Sequence, residues 1–298
     1  MISTDISLHK NQPLLALGTA NFGNNYGINN SVGILTDSQV EEMLQLSATL
    51  GIDKIDTASG YGRAEELIGN YWPMDLSVNV MTKLSKANCA NSETFFNTVK
   101  NSLALTKQGS LWAVLLHDSS ILLNDGSKNL IHDLRQLLDS GTTKHIGISA
   151  YTEKEIIQAK DIMPEMDFFQ ISDNICDQRL HPSSAFQKMF DNGDFFFVRS
   201  IFLQGLLLMN PNNLPSRMDA AKFVLEQLRE FCISNEVSLI DACLGYAKSI
   251  PWASGIVVGA ESVNQIQEIN DSIQSTIDID YSKAPRLSDW FLDPRNWS

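Results

Sequence analysis

Apolar residues fall along this chain in short runs, separated by longer stretches in which they recur every three or four positions. Runs at 14–18, 54–57, 78–83, 113–117, 145–149, 168–171, 195–199 and 255–259 read as strands, and the stretches between them as helices with one apolar face. One such helix opens at Thr36-Asp37-Ser38, carries Met43, Leu46 and Leu50, and closes on Gly51. Others are expected at 130–140, ending at Gly141, and at 218–235 and 239–249 before the last strand. Eight strand-helix alternations with no Pro/Gly/Ser-rich linker and no shift of composition predict one domain over residues 1–298. Its fold class is α/β, a parallel sheet closed into a (β/α)8 TIM barrel. The pattern dissolves beyond about residue 277 into an irregular tail holding Tyr281, Trp290, Phe291 and Trp297. That tail is too apolar for idle solvated chain, so some of it is expected over the C-terminal mouth of the barrel. Packing against the barrel wall is the alternative, and it weighs more for Trp297 than for Trp290.

Composition narrows the function. The apolar share of 43% is ordinary, and no run of eighteen apolar residues could span a bilayer, so no membrane role is expected. Residues 1–10 lack the basic start and apolar middle of a secretory signal, which favours a cytoplasmic location. Cys89, Cys176, Cys232 and Cys243 form no C-x-x-C and no metal-ligand spacing. They read as core residues in a reducing compartment. A net charge of −13 without a Lys/Arg cluster argues against nucleic acid as a partner. An anionic ligand would need a locally basic pocket, for which Arg63, Lys83, Arg179 and Arg199 are the candidates. No G-x-G-x-x-G follows a strand, and no His/Asp cluster suits a metal-dependent hydrolase, so no metal is expected.

Three strands end on proton-active residues. The second ends at Asp56, followed by Thr57-Ala58-Ser59-Gly60-Tyr61-Gly62, the third at Lys83 and the fourth at His117. The C-terminal rim of a barrel is where such residues meet a substrate. The set resembles one that reduces a carbonyl, a reaction that needs a hydride donor, a proton donor and a group that holds the oxygen between them. A phenol has a pKa of about 10, roughly three units from the useful range, or about 4 kcal/mol. A lysine ammonium about 4 Å away supplies about that much at an effective dielectric near 20, so Lys83 is expected to tune Tyr61. Asp56 would then pair with Lys83, and His117 would hydrogen-bond the substrate oxygen. Taken singly, Asp56 could cap a turn, Tyr61 be a loop aromatic, Lys83 a solvated charge and His117 a structural group. Their common position at strand ends is what joins them. His9, His132, His145 and His181 have no such company and read as structural or exposed.

Asp56, Tyr61, Lys83 and His117, in that order, resemble the catalytic tetrad of the aldo-keto reductases. The likeness runs from Leu17-Gly18-Thr19 to Asp293-Pro294, and Gly51 to Gly69 with Glu65-Glu66 is its most specific part. It implies an NAD(P)H-dependent reductase of a small aldehyde or ketone, with NADPH as cofactor and NADH as the alternative. By the same resemblance Ser149 and Gln170 would hold the nicotinamide carboxamide, with Ala150 replacing an asparagine. Arg199 falls where many members stack an aromatic; its guanidinium either stacks there or pairs with a carboxylate. Ser200, Gln204, Gly205, Gly259, Glu261, Ser262 and Gln265 correspond to cofactor-binding loops, where helix amides and Ser262 would take the phosphates. Glu261 stands where many members carry a cation for the 2′-phosphate, which implies a reduced NADPH preference if it faces the ribose and none if it faces solvent. Asn174 to Arg179, Arg199 to Gly205 and Asp293 to Trp297 look most like bacterial members of surface-polysaccharide pathways, which implies a sugar-derived substrate. A regulatory relative that binds the nucleotide without turnover is the competing reading, and the oligomeric state stays open.

Overall fold

The computed structural model describes residues 13–30, 33–123, 127–180 and 183–297. The eight apolar runs form eight strands: β1 (Leu14–Gly18), β2 (Lys54–Asp56), β3 (Asn79–Leu84), β4 (Leu111–Leu116), β5 (Thr143–Ala150), β6 (Phe168–Ser172), β7 (Phe195–Arg199) and β8 (Gly255–Gly259). They pair in sequence order, all parallel, and β8 returns to β1, so the sheet is a closed barrel with helices between its strands.

Alternation along the strands divides the apolar residues into two cores. Outward positions such as Ile55, Val80, Val114, Ile146, Phe169, Phe196 and Ile256 pack beneath the helices. Inward positions, among them Ala16, Met81, Ala113, Leu115, Phe168, Phe197 and Val257, fill the barrel together with Trp112. Trp112 meets the rings of Phe168 at 5.2 Å and Phe195 at 5.7 Å, which closes the lower end. His145 belongs to this floor, packing on Trp112 and bonding Asp167 at 2.7 Å, while His132 is exposed. His9 and His181 lie outside the described residues, as do residues 1–10.

The same alternation places the polar residues. Two positions beyond inward Met81, Leu115, Phe168 and Phe197 come Lys83, His117, Gln170 and Arg199, so these also face inward, one layer nearer the C-terminal mouth. Asp56 follows inward Lys54, whose ammonium lies 5.7 Å from the centre of a Trp112 ring.

The helix Asp37–Thr49 opens with a capping box, in which Thr36 N donates to Gln39 Oε1 at 2.9 Å and Gln39 N to Thr36 Oγ1 at 3.4 Å. The segment expected as one helix over 218–235 instead enters from Pro215 through a 3₁₀ turn, Ser216–Ala221, before the α-helix Lys222–Ser234. The next helix spans Leu239–Ser249. The tail is fastened to the segment after β6, where Gln178 Nε2 donates to Tyr281 O at 3.0 Å and Leu287 N to Cys176 O at 3.1 Å. Phe291 and Trp297 are buried in the outer core and so pack on the wall, whereas Trp290 is 43% exposed. Pro294 and Arg295 are the tail residues that reach the mouth. Among the described residues no helix is long and apolar enough to cross a membrane, no group of three or more His, Cys, Asp or Glu could hold a metal, and all four cysteines are free.

Candidate active site

The centre of the site is a buried ion pair. Lys83 Nζ lies 2.6 Å from both carboxylate oxygens of Asp56 and 3.3 Å from Thr57 O. Gln170 Nε2 donates to Asp56 Oδ1 at 2.5 Å. Burial pulls the Lys83 ammonium below its usual value, against the opposing attraction of Asp56. The resemblance gives Gln170 to the cofactor; here its amide nitrogen serves Asp56, it does not line the cavity, and its Oε1 is buried without a partner.

Tyr61 hangs above this pair from the loop after β2. Gly62 has φ +58°, and a Cβ there would come within 2.4 Å of Gly23 O; a Cβ on Gly23 would come within 2.1 Å of Tyr61 O. Two backbones in contact fix the height of Tyr61, and no larger residue fits at either position. Lys83 Nζ is 5.5 Å from the centre of the phenol ring, and the His117 ring meets that ring edge-on at 5.8 Å and 77°. The remainder of the Gly51-to-Gly69 motif is structural: Glu65 is buried and accepts from Thr82 Oγ1 at 2.6 Å, and a Cβ on Gly69 would meet Leu105 O at 2.0 Å.

Lys83 stands close enough to Tyr61 for the expected tuning, but it does so paired with Asp56. Burial holds the phenol above its ordinary value, Asp56 raises it further, and the cation that opposes them is Arg199. Lys83 is matched by Asp56 at 2.6 Å, so the two act on Tyr61 as a pair of opposite charges. His117 presents its ring to the cavity but is hemmed in by protein. This desolvation, with Lys83 and Arg199 nearby, pushes its pKa down to about 4, so the imidazole is neutral at pH 7.

Among the described residues no carboxylate lies within ion-pair distance of Arg199. Arg199 donates to Ser149 Oγ at 3.1 Å, Ser200 Oγ at 3.1 Å and Ala150 O at 3.2 Å, and its guanidinium carbon lies 4.4 Å from the Tyr151 ring centre. Arg295 lies 4.0 Å from the same ring and bonds Asp118 and Asp293. Tyr26, Tyr151 and Arg295 line the site and were not expected from the sequence. Of the other candidate cations, Arg63 is bound to Asp37 and Glu66 on the surface and Arg179 to Asp177 and Asp289; neither reaches the cavity.

One cavity of about 690 Å³ joins these residues. It passes the tetrad, Ser149 and Tyr151, then runs between the loop at Gly27 and Asn29 and the walls formed by Ser200, Gln204, Gly205, Gly259, Glu261 and Gln265. The aldo/keto reductase family model matches residues 14–284. The chain belongs to that family. It is therefore an NAD(P)H-dependent oxidoreductase acting on small carbonyl compounds. Similar solved structures include the aldo-keto reductase AKR11C1 of Bacillus halodurans in its holo form, with TM-score 0.71 and 19% identity over 89% of this chain and 88% of that one. The thermostable aldo-keto reductase Tm1743, in complex with the inhibitor epalrestat, has TM-score 0.67 and 18% identity over 96% and 94% of the two chains. PA4992 of Pseudomonas aeruginosa has TM-score 0.62 and 19% identity over 91% and 98%. No curated protein matches the chain.

The far half of this aldo/keto reductase's cavity fits an extended nucleotide. Ser200, Leu203 and Gln204 have positive φ, an accumulation of backbone strain of the kind found at ligand clamps, and Gly205 follows with a positive φ that glycine adopts freely. The 27–29 segment crosses it, with Ile28 N donating to Gln204 O at 2.9 Å. Glu261 and Gln265 line this end, and Glu261 Oε1 lies 3.9 Å from where a Cβ on Gly27 would stand, so the carboxylate turns over the cavity. Burial raises its pKa above the usual carboxyl range. The Ser262 hydroxyl caps the helix Val263–Gln274 by accepting from Gln265 N at 3.3 Å, and Ser262 is not among the residues that line the cavity. Gln265 Oε1 in turn accepts from Glu261 N at 2.7 Å.

Proposed function

We propose that this enzyme reduces a hydroxyl-bearing aldehyde or ketone, with Tyr61 as the proton donor and His117 as the group that orients the carbonyl oxygen. The convergence of Tyr61, His117 and the Lys83–Asp56 pair on one cavity carries this reading. A neutral imidazole can donate an N–H to the oxygen without surrendering its proton. Tyr61, held protonated by burial, gives up its proton only when a more basic alkoxide forms against it. Bound NAD(P)H would supply the hydride. Ser149, Arg199 and the Ser200–Gly205 and Gly259–Gln265 walls would hold it. Asn29, Asp118, Ser120, Tyr26 and Tyr151 along the cavity favour a substrate rich in hydrogen-bonding groups, such as a sugar-derived carbonyl, over an apolar one.

The cofactor end of the cavity favours NADH at least as much as NADPH. Its lining cations, Lys83, Lys86, Arg199 and Arg295, all lie toward the tetrad, whereas Glu261 lies at the other end. A carboxylate there accepts from a ribose hydroxyl and repels a phosphate.

Tyr61→Phe tests the assignment, because it removes one hydroxyl and leaves the cofactor walls intact. Reduced cofactor should bind with little change, while turnover with keto-sugars or sugar aldehydes falls by orders of magnitude. Near wild-type turnover would remove Tyr61 from the role. Cofactor binding without turnover in the wild type, across a broad carbonyl screen, would favour the regulatory reading.

A further inference from the structure

We infer that Arg199 makes this enzyme bind the reduced nicotinamide cofactor more tightly than the oxidised one, which biases the bound couple toward carbonyl reduction. The inference rests on the proposed function. Ser149, Tyr151 and Arg199 line the same cavity as Tyr61 and His117, and a ring that hands hydride to a carbonyl held at those two would lie against them. Oxidised nicotinamide carries a positive charge on that ring and reduced nicotinamide carries none, so a neighbouring cation discriminates between them.

Arg199 is well placed to do so because, among the described residues, none of its hydrogen bonds ends on a carboxylate. Its three hydrogen bonds end on the neutral oxygens of Ser149, Ser200 and Ala150, and its stacking partner is the Tyr151 ring. The carboxylates of the region bond other cations, Asp56 to Lys83 and both Asp293 and Asp118 to the single Arg295, with Asp293 also within the field of Arg199. The field of Arg199 is felt across the cavity, where it opposes protonation of His117 and favours ionisation of Tyr61. The fixed bonds to Ser149 and Ala150 hold the guanidinium on the wall, so it cannot swing into water when the ring becomes charged. A unit charge within several ångströms of a cationic ring in a half-buried site separates the two redox forms by about tenfold in affinity or more. A tenfold ratio displaces the midpoint of the bound two-electron couple by about 30 mV.

The test is the ratio of dissociation constants for NAD+ and NADH, and likewise for NADP+ and NADPH, measured by calorimetric titration of the wild type, Arg199→Gln and Arg199→Lys. Each ratio compares two ligands on one protein, so a general loss of affinity or of folded fraction cancels. The wild type should favour the reduced form by about tenfold or more, Arg199→Gln should bring the ratio toward unity, and Arg199→Lys should keep most of it. A wild-type ratio near one, or a ratio that survives in Arg199→Gln, overturns the inference and leaves the proposed function standing. Failure of the wild type to bind either form overturns both.

Discussion

Replacing Lys83 with Met removes one ammonium and retains most of the aliphatic stem, and its consequences can be worked from the site. The Lys83 and Asp56 side chains are 3% and 7% exposed, so the change leaves a carboxylate in a nearly dry site with the Gln170 amide as its remaining side-chain donor. Breaking a buried pair in this way costs about 3–5 kcal/mol. A carboxylate so stranded can escape by taking up a proton. From an ordinary aspartate value near 3.9 that costs about 4 kcal/mol at pH 7 and only about 1.5 at pH 5, so the defect has a ceiling that falls with pH. With an unfolding entropy of about 2 cal/mol/K per residue, 4 kcal/mol corresponds to a drop in Tm of about 6 °C. Melts of wild type and Lys83→Met at the two pH values should show a gap that narrows on acidification. The double variant Lys83→Met/Asp56→Leu should recover much of the stability and none of the activity. An equal gap at both pH values would assign the loss to packing, and no gap at either would show that the pair does not hold this part of the barrel.

Parallel titrations with NADPH and NADH decide the role of Glu261: a wild-type preference for NADPH above about a hundredfold, or about 2.7 kcal/mol, would show that its carboxylate does not face the ribose. Glu261→Arg should raise the NADPH-to-NADH affinity ratio by at least about tenfold, with the NADH constant changed less. His117, with a pKa of about 4, should impose no break on kcat/KM between pH 6 and 8. Because that value is depressed below the unfolded one near 6.5, His117 favours folding above about 6.5 and the advantage is lost as pH falls through about 4. Urea titrations across that window should therefore lose stability more steeply in the wild type than in His117→Gln. A break near pH 6.5 that vanishes in the variant would place a protonated imidazole in the working enzyme.

The barrel was legible because its strands carry two alternations at once. Outward residues such as Val80, Val114 and Phe196 are apolar for the helices, and inward ones are apolar only up to the floor, at Met81, Leu115, Phe168 and Phe197. Where the inward series turns polar, at Lys83, His117, Gln170 and Arg199, the site begins, and the strand ends mark it in one dimension. Tyr26 and Arg295 carry no such mark, because each lies in an irregular segment whose position depends on where another segment ends. Tyr151 does have a local signal, an aromatic just past the end of β5, but its use depends on Arg199 and Arg295 arriving from β7 and the tail.

What a residue's position cannot reveal is the destination of its hydrogen bonds, and in this site those decide function. Gln170 is on the expected strand, facing inward, but its amide nitrogen is claimed by Asp56, 114 residues away. The sequence places a lysine near a tyrosine and so suggests that the lysine's charge acts on the phenol. In the folded protein Asp56 matches that charge at 2.6 Å, and a second cation, Arg199, acts on Tyr61 from a strand on another part of the barrel. The sign of the field at the reacting atoms is thus a difference between charges brought together by long-range packing. Exchanging neutral for acidic partners around Arg199 would invert it without altering any residue of the tetrad.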